Sequence, residues 1–307
     1  MNRARIGRVR FAKGHGTEND FVILPDPDGV LDLSPQLVAR LCHRRAGIGG
    51  DGLLRAVRTA ALGHQAAGTP NGGDGGDRAA RVDAGADAAW FMDYRNADGS
   101  VAEMCGNGIR VFVRYLLEAG LAEGDELTVA TRGGPRHVLV RPDGAISVDM
   151  GLPTILGPGR AIVGGRSCPG LRISVGNPHL ACIIDTPGAR LDEFDLSRPP
   201  ELDTGDFPDG ANVELIQVTG PAAVRMRVRE RGSGETRSCG TGAVAAAVAA
   251  AHRGSDGIAA GSWQVDVPGG ELTATLDSRT SWLTGPAVIV AEGELRDAWL
   301  RAPGRTR

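Results

Sequence analysis

Two cysteines stand at the head of apolar, helix-like runs. "EMCGNGIRVFVRYL" (103–116) carries Cys105, and "RSCGTGAVAAAVAA" (237–250) carries Cys239. A helix N-terminus presents unsatisfied N–H groups and partial positive charge. It favours a thiolate, lowering a cysteine pKa from its free value of about 8.5. The glycines remove side chains, so the backbone N–H groups of Gly106, Asn107, Gly240 and Thr241 can reach a carboxylate. One such segment reads as an anion-binding turn. Two, at matched places in two halves, point to one cleft with a thiol on each side. That suits inversion of a stereocentre: one thiolate takes a proton from one face and the other thiol supplies one to the opposite face. The α-proton of an amino acid is very weakly acidic. Its carbanion needs a pyridoxal cofactor or electrostatic stabilisation, and two helix N-termini supply the second. The sequence holds one lysine, Lys13, in no pyridoxal-lysine context, so no cofactor is expected. The spacing leaves a reversible disulfide between Cys105 and Cys239 open.

The elements that would position these thiols form a weak internal repeat. Each half has a strand, a glycine-containing turn ("RNADGS", "ERGSGE"), Cys-Gly-x-Gly and an apolar helix. Each also has an earlier asparagine-bearing loop, "GTENDFVI" with Asn19 and "VGNPHLACII" with Asn177. Ile109, Phe112, Val113 and Leu116 share one helical face, broadened by Val111 and Leu117. The second helix is nearly all alanine and valine, which predicts burial on every side. "SPQLVARLC" predicts a helix capped by Ser34 with Pro35 in its first turn. Residues 59–88 are rich in glycine, alanine and aspartate without a sustained period, which predicts a flexible surface insertion.

The chain of 307 residues is long enough for two domains. Its net charge of −3, with no basic stripe interleaved with aromatics, argues against a nucleic-acid binder. No apolar run approaches the length of a membrane span, and the basic N-terminus lacks a secretory apolar region. The expected location is the cytoplasm. Five cysteines at irregular spacing make neither a disulfide framework nor a zinc site, so no metal is expected. Cys42 and Cys182 read as small buried hydrophobes.

Taken together, "GHGTENDFVIL", "GIGGDGLL", "RNADGSVAEMCGNGIR", "VGNPHLACII", "GANVELIQV", "RVRERGSGETRSCGTGA" and "LTGPAVIVAEGEL" closely resemble the diaminopimelate epimerase family over nearly the whole chain. The resemblance implies an α/β (α+β) fold of two pseudo-symmetric domains, each a mostly antiparallel sheet wrapped around a central helix. The expected domains are 1–130 with 285–307, carrying Cys105, and 131–284, carrying Cys239. It implies a pyridoxal-independent isomerase that interconverts L,L- and meso-diaminopimelate for lysine and peptidoglycan synthesis. The expected partner is that small molecule, with no nucleic acid and no membrane; a homodimer is the candidate assembly. Carried over by position, Cys105 abstracts the proton from the L,L isomer and Cys239 reprotonates, with roles reversed in the other direction. Asn96, Asn212 and Arg231 match residues gripping the distal carboxylate. Asn19, Asn177 and Glu230 match residues lining the same pocket and holding its amino groups. His179 is a candidate to orient or polarise the site. Departures are Glu18, where the family usually has a small or apolar residue, and Gly52, where many members have a glutamine reaching the pocket.

Each residue has a plainer alternative. Asn19, Asn96, Asn177 and Asn212 sit in turn-like contexts where asparagine is common. Glu230–Arg231 also fits a solvated strand end, and a lone His179 is more often structural. Among other functions, proline and hydroxyproline racemases use two cysteines but need no grip on a second amino-acid end. Phenazine-type isomerases of similar fold lack the paired thiols. A thiol-redox switch or a carboxylate-binding module would incorporate no solvent deuterium at an α-carbon.

Overall fold

The computed structural model describes residues 9–65, 87–253 and 257–301. In chain order the elements are β1 (Arg10–Gly16), β2 (Asn19–Pro25), α1 (Pro35–Cys42), β3 (Gly52–Arg58), α2 (Thr59–Gln65), β4 (Trp90–Asn96), α3 (Gly106–Glu118), β5 (Glu126–Ala130), β6 (Arg136–Val140), β7 (Ile146–Gly151), β8 (Thr154–Val163), β9 (Arg166–Ser174) and β10 (Pro178–Ile183). They continue as β11 (Glu201–Leu202), β12 (Asn212–Gly220), β13 (Ala223–Glu230), β14 (Gly234–Thr236), α4 (Gly240–His252), β15 (Gly261–Val267), β16 (Gly270–Leu276), β17 (Ser281–Gly285), β18 (Val288–Glu294) and α5 (Asp297–Arg301). This is a mixed, mostly β architecture with few helices.

The chain divides into two compact units. Unit one is residues 1–15, 20–138 and 287–307, and unit two is residues 16–19 and 139–286. In unit one, β18 pairs antiparallel with β1, which pairs with β2. Then β2–β3 is parallel, β3–β4 antiparallel and β4–β5 parallel. In unit two, β9–β10 is antiparallel, β10–β12 parallel, β12–β13 antiparallel and β13–β15 parallel. Counted from β1 and from β9, each Cys-headed helix comes after the fourth strand of its series, with the short β14 intervening in unit two, and returns the chain to the fifth. The weak sequence repeat is therefore a repeated topology.

The central helices are buried as their sequences require. In α3, Ile109, Val111, Phe112 and Val113 are fully buried, and the helix packs on β3, β4 and β18. In α4, every residue from Gly240 to Ala251 is buried, against β9, β10, β12, β13, β15, β16 and β17. Alanine and valine let strands approach it all round. The Ser34 side chain caps α1, accepting from Leu37 N–H, with Pro35 at the start. Of the run at 59–88, expected to be a flexible surface insertion, the start forms α2; residues 66–86 lie outside the described residues. Among the described residues no helix is long and apolar enough to cross a membrane.

Unit one is pinned by a buried charge cluster. Asp93 is 2% exposed. Arg95 Nε lies 2.9 Å from its Oδ1, Arg132 Nη2 2.8 Å from Oδ1 and Arg55 Nη1 3.6 Å from Oδ2. Burial pushes this carboxyl up, but Arg95 and Arg132 outweigh it and hold the group below the usual carboxylate range.

Candidate functional site

Cys105 and Cys239 are the N-cap residues of α3 and α4, in nearly the same conformation (φ −144, ψ 116 and φ −125, ψ 117). Each sulfur accepts the backbone N–H three residues on: Gly108 N lies 3.4 Å from Cys105 Sγ, and Gly242 N lies 3.4 Å from Cys239 Sγ. Cysteine is not among the preferred capping residues. Its use twice, in one geometry, sets a sulfur against the first-turn N–H groups of each helix, where the dipole is positive. Gly106 and Asn107 are buried in the first turn of α3, and Gly240 and Thr241 in that of α4.

The two thiols have different surroundings. Cys105 is half-buried and Cys239 is buried. Arg110, one turn beyond Cys105, is fully buried. Burial pulls its guanidinium down to about 10, and attraction to Cys105 acts the other way. The sequence reading missed this cation; it lies among the apolar positions Ile109, Val111, Phe112 and Val113, which was the available signal. Around Cys239 the charge has the opposite sign. Burial first, then the Glu230 and Glu214 carboxylates, push its thiol well above the ordinary range, against the lowering effect of Thr241 and Gly242 N–H. The expectation of a helix-lowered pKa is thus corrected for Cys239: burial and two nearby carboxylates outweigh the hydrogen bonds from the first turn.

A chain of hydrogen bonds ends on Cys239. His179 Nδ1 lies 2.7 Å from Glu214 Oε1, and His179 Nε2 lies 2.9 Å from Asn177 Oδ1. Asn177 Nδ2 donates to Thr241 Oγ1 at 3.4 Å, and Thr241 Oγ1 lies 3.5 Å from Cys239 Sγ. The imidazole thus bridges a carboxylate on one nitrogen and an amide on the other, which fixes the ring's orientation. Thr241 accepts from Asn177, which leaves its hydroxyl to donate to sulfur. His179 and Glu214 are both fully buried, while Glu214 Oε2 has no hydrogen-bond partner among the described residues. Parallel pairing of β10 with β12, in the register His179↔Asn212, puts Glu214 on the same face two residues on. Glu214 is the second residue that the sequence reading did not single out.

The other candidates of unit two lie at or beside strand ends. Asn212 is buried and its Oδ1 accepts Arg231 N–H at 2.8 Å. Arg231 is exposed, with Nη1 3.4 Å from Asp209 O. Thr236 Oγ1 donates to Glu230 Oε1 at 2.5 Å. Asn19 is buried at the start of β2, after a tight turn in which Thr17 (φ 50) and Glu18 (φ 61) are both left-handed. This is the twist a two-residue hairpin favours. Thr17 Oγ1 lies 2.6 Å from Ser238 Oγ, and Glu18 ion-pairs with Arg237, so the turn braces the residues before Cys239. A Cβ on Gly269 would lie 1.9 Å from Thr17 O, so only glycine fits beside that turn. In unit one, Asn96 ends β4; its Oδ1 accepts from Tyr94 at 3.0 Å and its Nδ2 donates to Ser100 at 2.9 Å.

A cavity of about 530 Å³ elsewhere in unit two is lined by Arg190, Arg225, Asp266 and neighbours, and holds none of the candidates. It lacks convergent nucleophiles, so the chemistry is assigned to the cysteine motifs. Lys13 Nζ is bound to Asp20 Oδ2 and Gly49 O, each at 2.5 Å, an arrangement unsuited to a Schiff base.

Comparison with known proteins follows the same lines. The family model for diaminopimelate epimerase matches residues 11–156 and 171–294. A diaminopimelate epimerase of Thermobifida fusca is 57% identical over 293 residues, covering 95% of this chain and 100% of the relative. Among solved structures, a PhzF-family phenazine biosynthesis protein of Bacillus anthracis superposes with TM-score 0.67 at 16% identity, covering 95% of this chain and 100% of that one. A probable proline racemase of Agrobacterium radiobacter gives TM-score 0.64 at 12% identity, covering 94% and 93%. At such identities the two structures bear on the fold alone.

Proposed function

The chain belongs to the diaminopimelate epimerase family, and we propose that it interconverts L,L- and meso-diaminopimelate with two thiols and no pyridoxal cofactor, in the service of lysine and peptidoglycan synthesis. The observation that carries the two-thiol chemistry is the pair of cysteine N-caps with matching dihedrals and matching S···H–N contacts. In the L,L direction, the Cys105 thiolate takes the α-proton and Cys239 delivers its own proton to the opposite face. Cys105 ends as the thiol and Cys239 as the thiolate. The meso direction runs the same steps backwards.

The surroundings support that assignment. Cys239, with its thiol pushed up, holds a proton at neutral pH and suits the acid role. When its proton leaves, the Thr241 hydroxyl and Gly242 N–H are aimed at the new thiolate. Arg110 supplies positive charge to Cys105. Backbone N–H groups of Gly106, Asn107, Gly240 and Thr241 hold the carboxylate at the reacting carbon, where negative charge develops. Asn96, Asn212 and Arg231 grip the distal carboxylate, while Asn19, Asn177 and Glu230 line the amino groups. A substrate lacking that second end leaves buried polar groups unsatisfied and is rejected.

The test is Cys105→Ala and Cys239→Ala, followed by proton NMR of L,L-diaminopimelate under reductant. Each variant is expected to lose epimerisation by at least about 10²–10⁴-fold. The fold should survive, with about 1 kcal/mol lost from each cap. Substantial epimerisation by either folded variant would sink the two-thiol mechanism.

A further inference from the structure

The repeated topology aligns Gly52, first residue of β3, with Asn212, first residue of β12. Gly52 pairs with Phe21 and Asn212 with His179, each two residues beyond the repeat's asparagine, Asn19 or Asn177. Unit two carries an amide at this position, and unit one carries no side chain. A Cβ on Gly52 would lie 2.8 Å from Tyr94 Cε2 and 2.7 Å from Arg95 O, so the Tyr94 ring occupies the space. The ring is wedged from another side by fully buried Phe21, edge-on at 6.1 Å between centroids. Its hydroxyl meets Asn96 Oδ1 at 3.0 Å.

These residues share the sheet face that carries Cys105. Gly52 pairs with Asn96, and Leu54 with Tyr94, so the four lie on one face of β3–β4. A Cβ on Gly108 would be 3.3 Å from Leu54 Cδ2 and 3.6 Å from Cys105 Sγ, which puts the first turn of α3 on that same face.

The hydrogen-bond chain through Asn96 has a fixed direction. Ser100 Oγ lies 2.6 Å from Asp98 Oδ1, and Ser100 N–H donates to the same oxygen at 2.8 Å. A carboxylate only accepts, so the Ser100 hydroxyl must donate to Asp98. Its oxygen is left to accept from Asn96 Nδ2, 2.9 Å away. Asn96 must then turn Oδ1 toward Tyr94, whose hydroxyl donates. Flipping the amide would set two acceptors against each other at Ser100. The second N–H of Asn96 Nδ2 is thereby presented as a donor, which suits an anion and not an ammonium group.

We infer that Tyr94 is a positioning residue for substrate recognition: its hydroxyl locks the Asn96 amide so that an N–H faces the carboxylate of the substrate's non-reacting end. Gly52 is the space that lets the phenol stand there. The inference rests on the assignment of Asn96 to that carboxylate.

Steady-state epimerisation of L,L-diaminopimelate by Tyr94→Phe, Asn96→Ala and the double variant tests it, with thermal melts to confirm folding. Loss of one hydrogen bond predicts a KM raised about fivefold for Tyr94→Phe. Its kcat should stay within about twofold, because the contact acts equally in ground and transition states. With Asn96 already removed, Tyr94→Phe should add no further cost. An unchanged KM in Tyr94→Phe beside a raised KM in Asn96→Ala overturns the role of Tyr94 alone. Additive costs do the same. An unchanged KM in Asn96→Ala overturns the carboxylate assignment beneath it.

Discussion

Gly242→Ala places a methyl carbon 2.7 Å from Glu214 Oε1 and 3.3 Å from Cys239 Sγ, where ordinary contact begins at 3.4 Å. Glu214 cannot retreat into water: it is fully buried and bound to His179 at 2.7 Å. Alanine improves intrinsic helix preference by about 1 kcal/mol. Overpacking a tight interior costs about 1–3 kcal/mol. The two nearly offset, so stability should fall by no more than about 2 kcal/mol. Activity should suffer more, because the methyl pushes on the carboxylate that holds His179 and on the thiol itself. Misplacing a reacting group by about 1 Å costs about 10²-fold in rate. Gly108→Ala is the internal control. Its methyl would meet Cys105 Cβ and Leu54 Cδ2, both at 3.3 Å, and no carboxylate. Rates of L,L-diaminopimelate epimerisation, measured beside thermal unfolding, should rank wild type, Gly108→Ala, then Gly242→Ala. A Gly242→Ala enzyme with wild-type kcat, or a Gly108→Ala enzyme that is the worse of the two, would refute the role given to Glu214.

Iodoacetamide at about pH 8 should alkylate Cys105 first among the five cysteines, as read by peptide mass spectrometry, because Cys239 is buried and its thiol is pushed up. Labelling of Cys239 ahead of Cys105 would contradict the assignment of acid and base. Asp93→Asn should destabilise unit one by about 3–5 kcal/mol, because it strips the anion from clustered guanidinium groups. The wild-type carboxyl is depressed in the folded state, so its contribution is present above the unfolded pKa of about 3.9 and lost as pH falls through the folded value. Urea midpoints of Asp93→Asn should therefore depend less on pH on the acid side than those of wild type; parallel curves would deny the cluster that role.

Much of the fold could be read along the chain because its signals are local. Ser34 and Pro35 announce α1, and Cys-Gly-x-Gly before an apolar run announces α3 and α4. The all-round burial of α4 follows from its alanines and valines. What escaped depends on non-local pairing or on burial. Glu214 reaches His179 only through parallel pairing of β10 and β12, which no sequence period encodes. Arg110 looks like an ordinary helix cation until the helix around it is buried. The thiol of Cys239 was expected to be lowered by its helix, and only the closed packing around it, with two carboxylates, reverses the direction. Glu18, a departure from the family pattern, is ion-paired with Arg237. Gly52, the other departure, sits beneath a phenol that the sequence does not place.

The most direct test of the two-thiol account is the partition of solvent deuterium at low conversion. L,L-diaminopimelate is incubated with reduced wild-type enzyme in deuterium oxide, without added cofactor, and both isomers are analysed before equilibrium. Two bases on opposite faces predict that meso product carries deuterium at the inverted carbon while recovered L,L substrate keeps its proton. Deuterium appearing equally in recovered substrate and product, or product retaining the substrate's own proton, would contradict it.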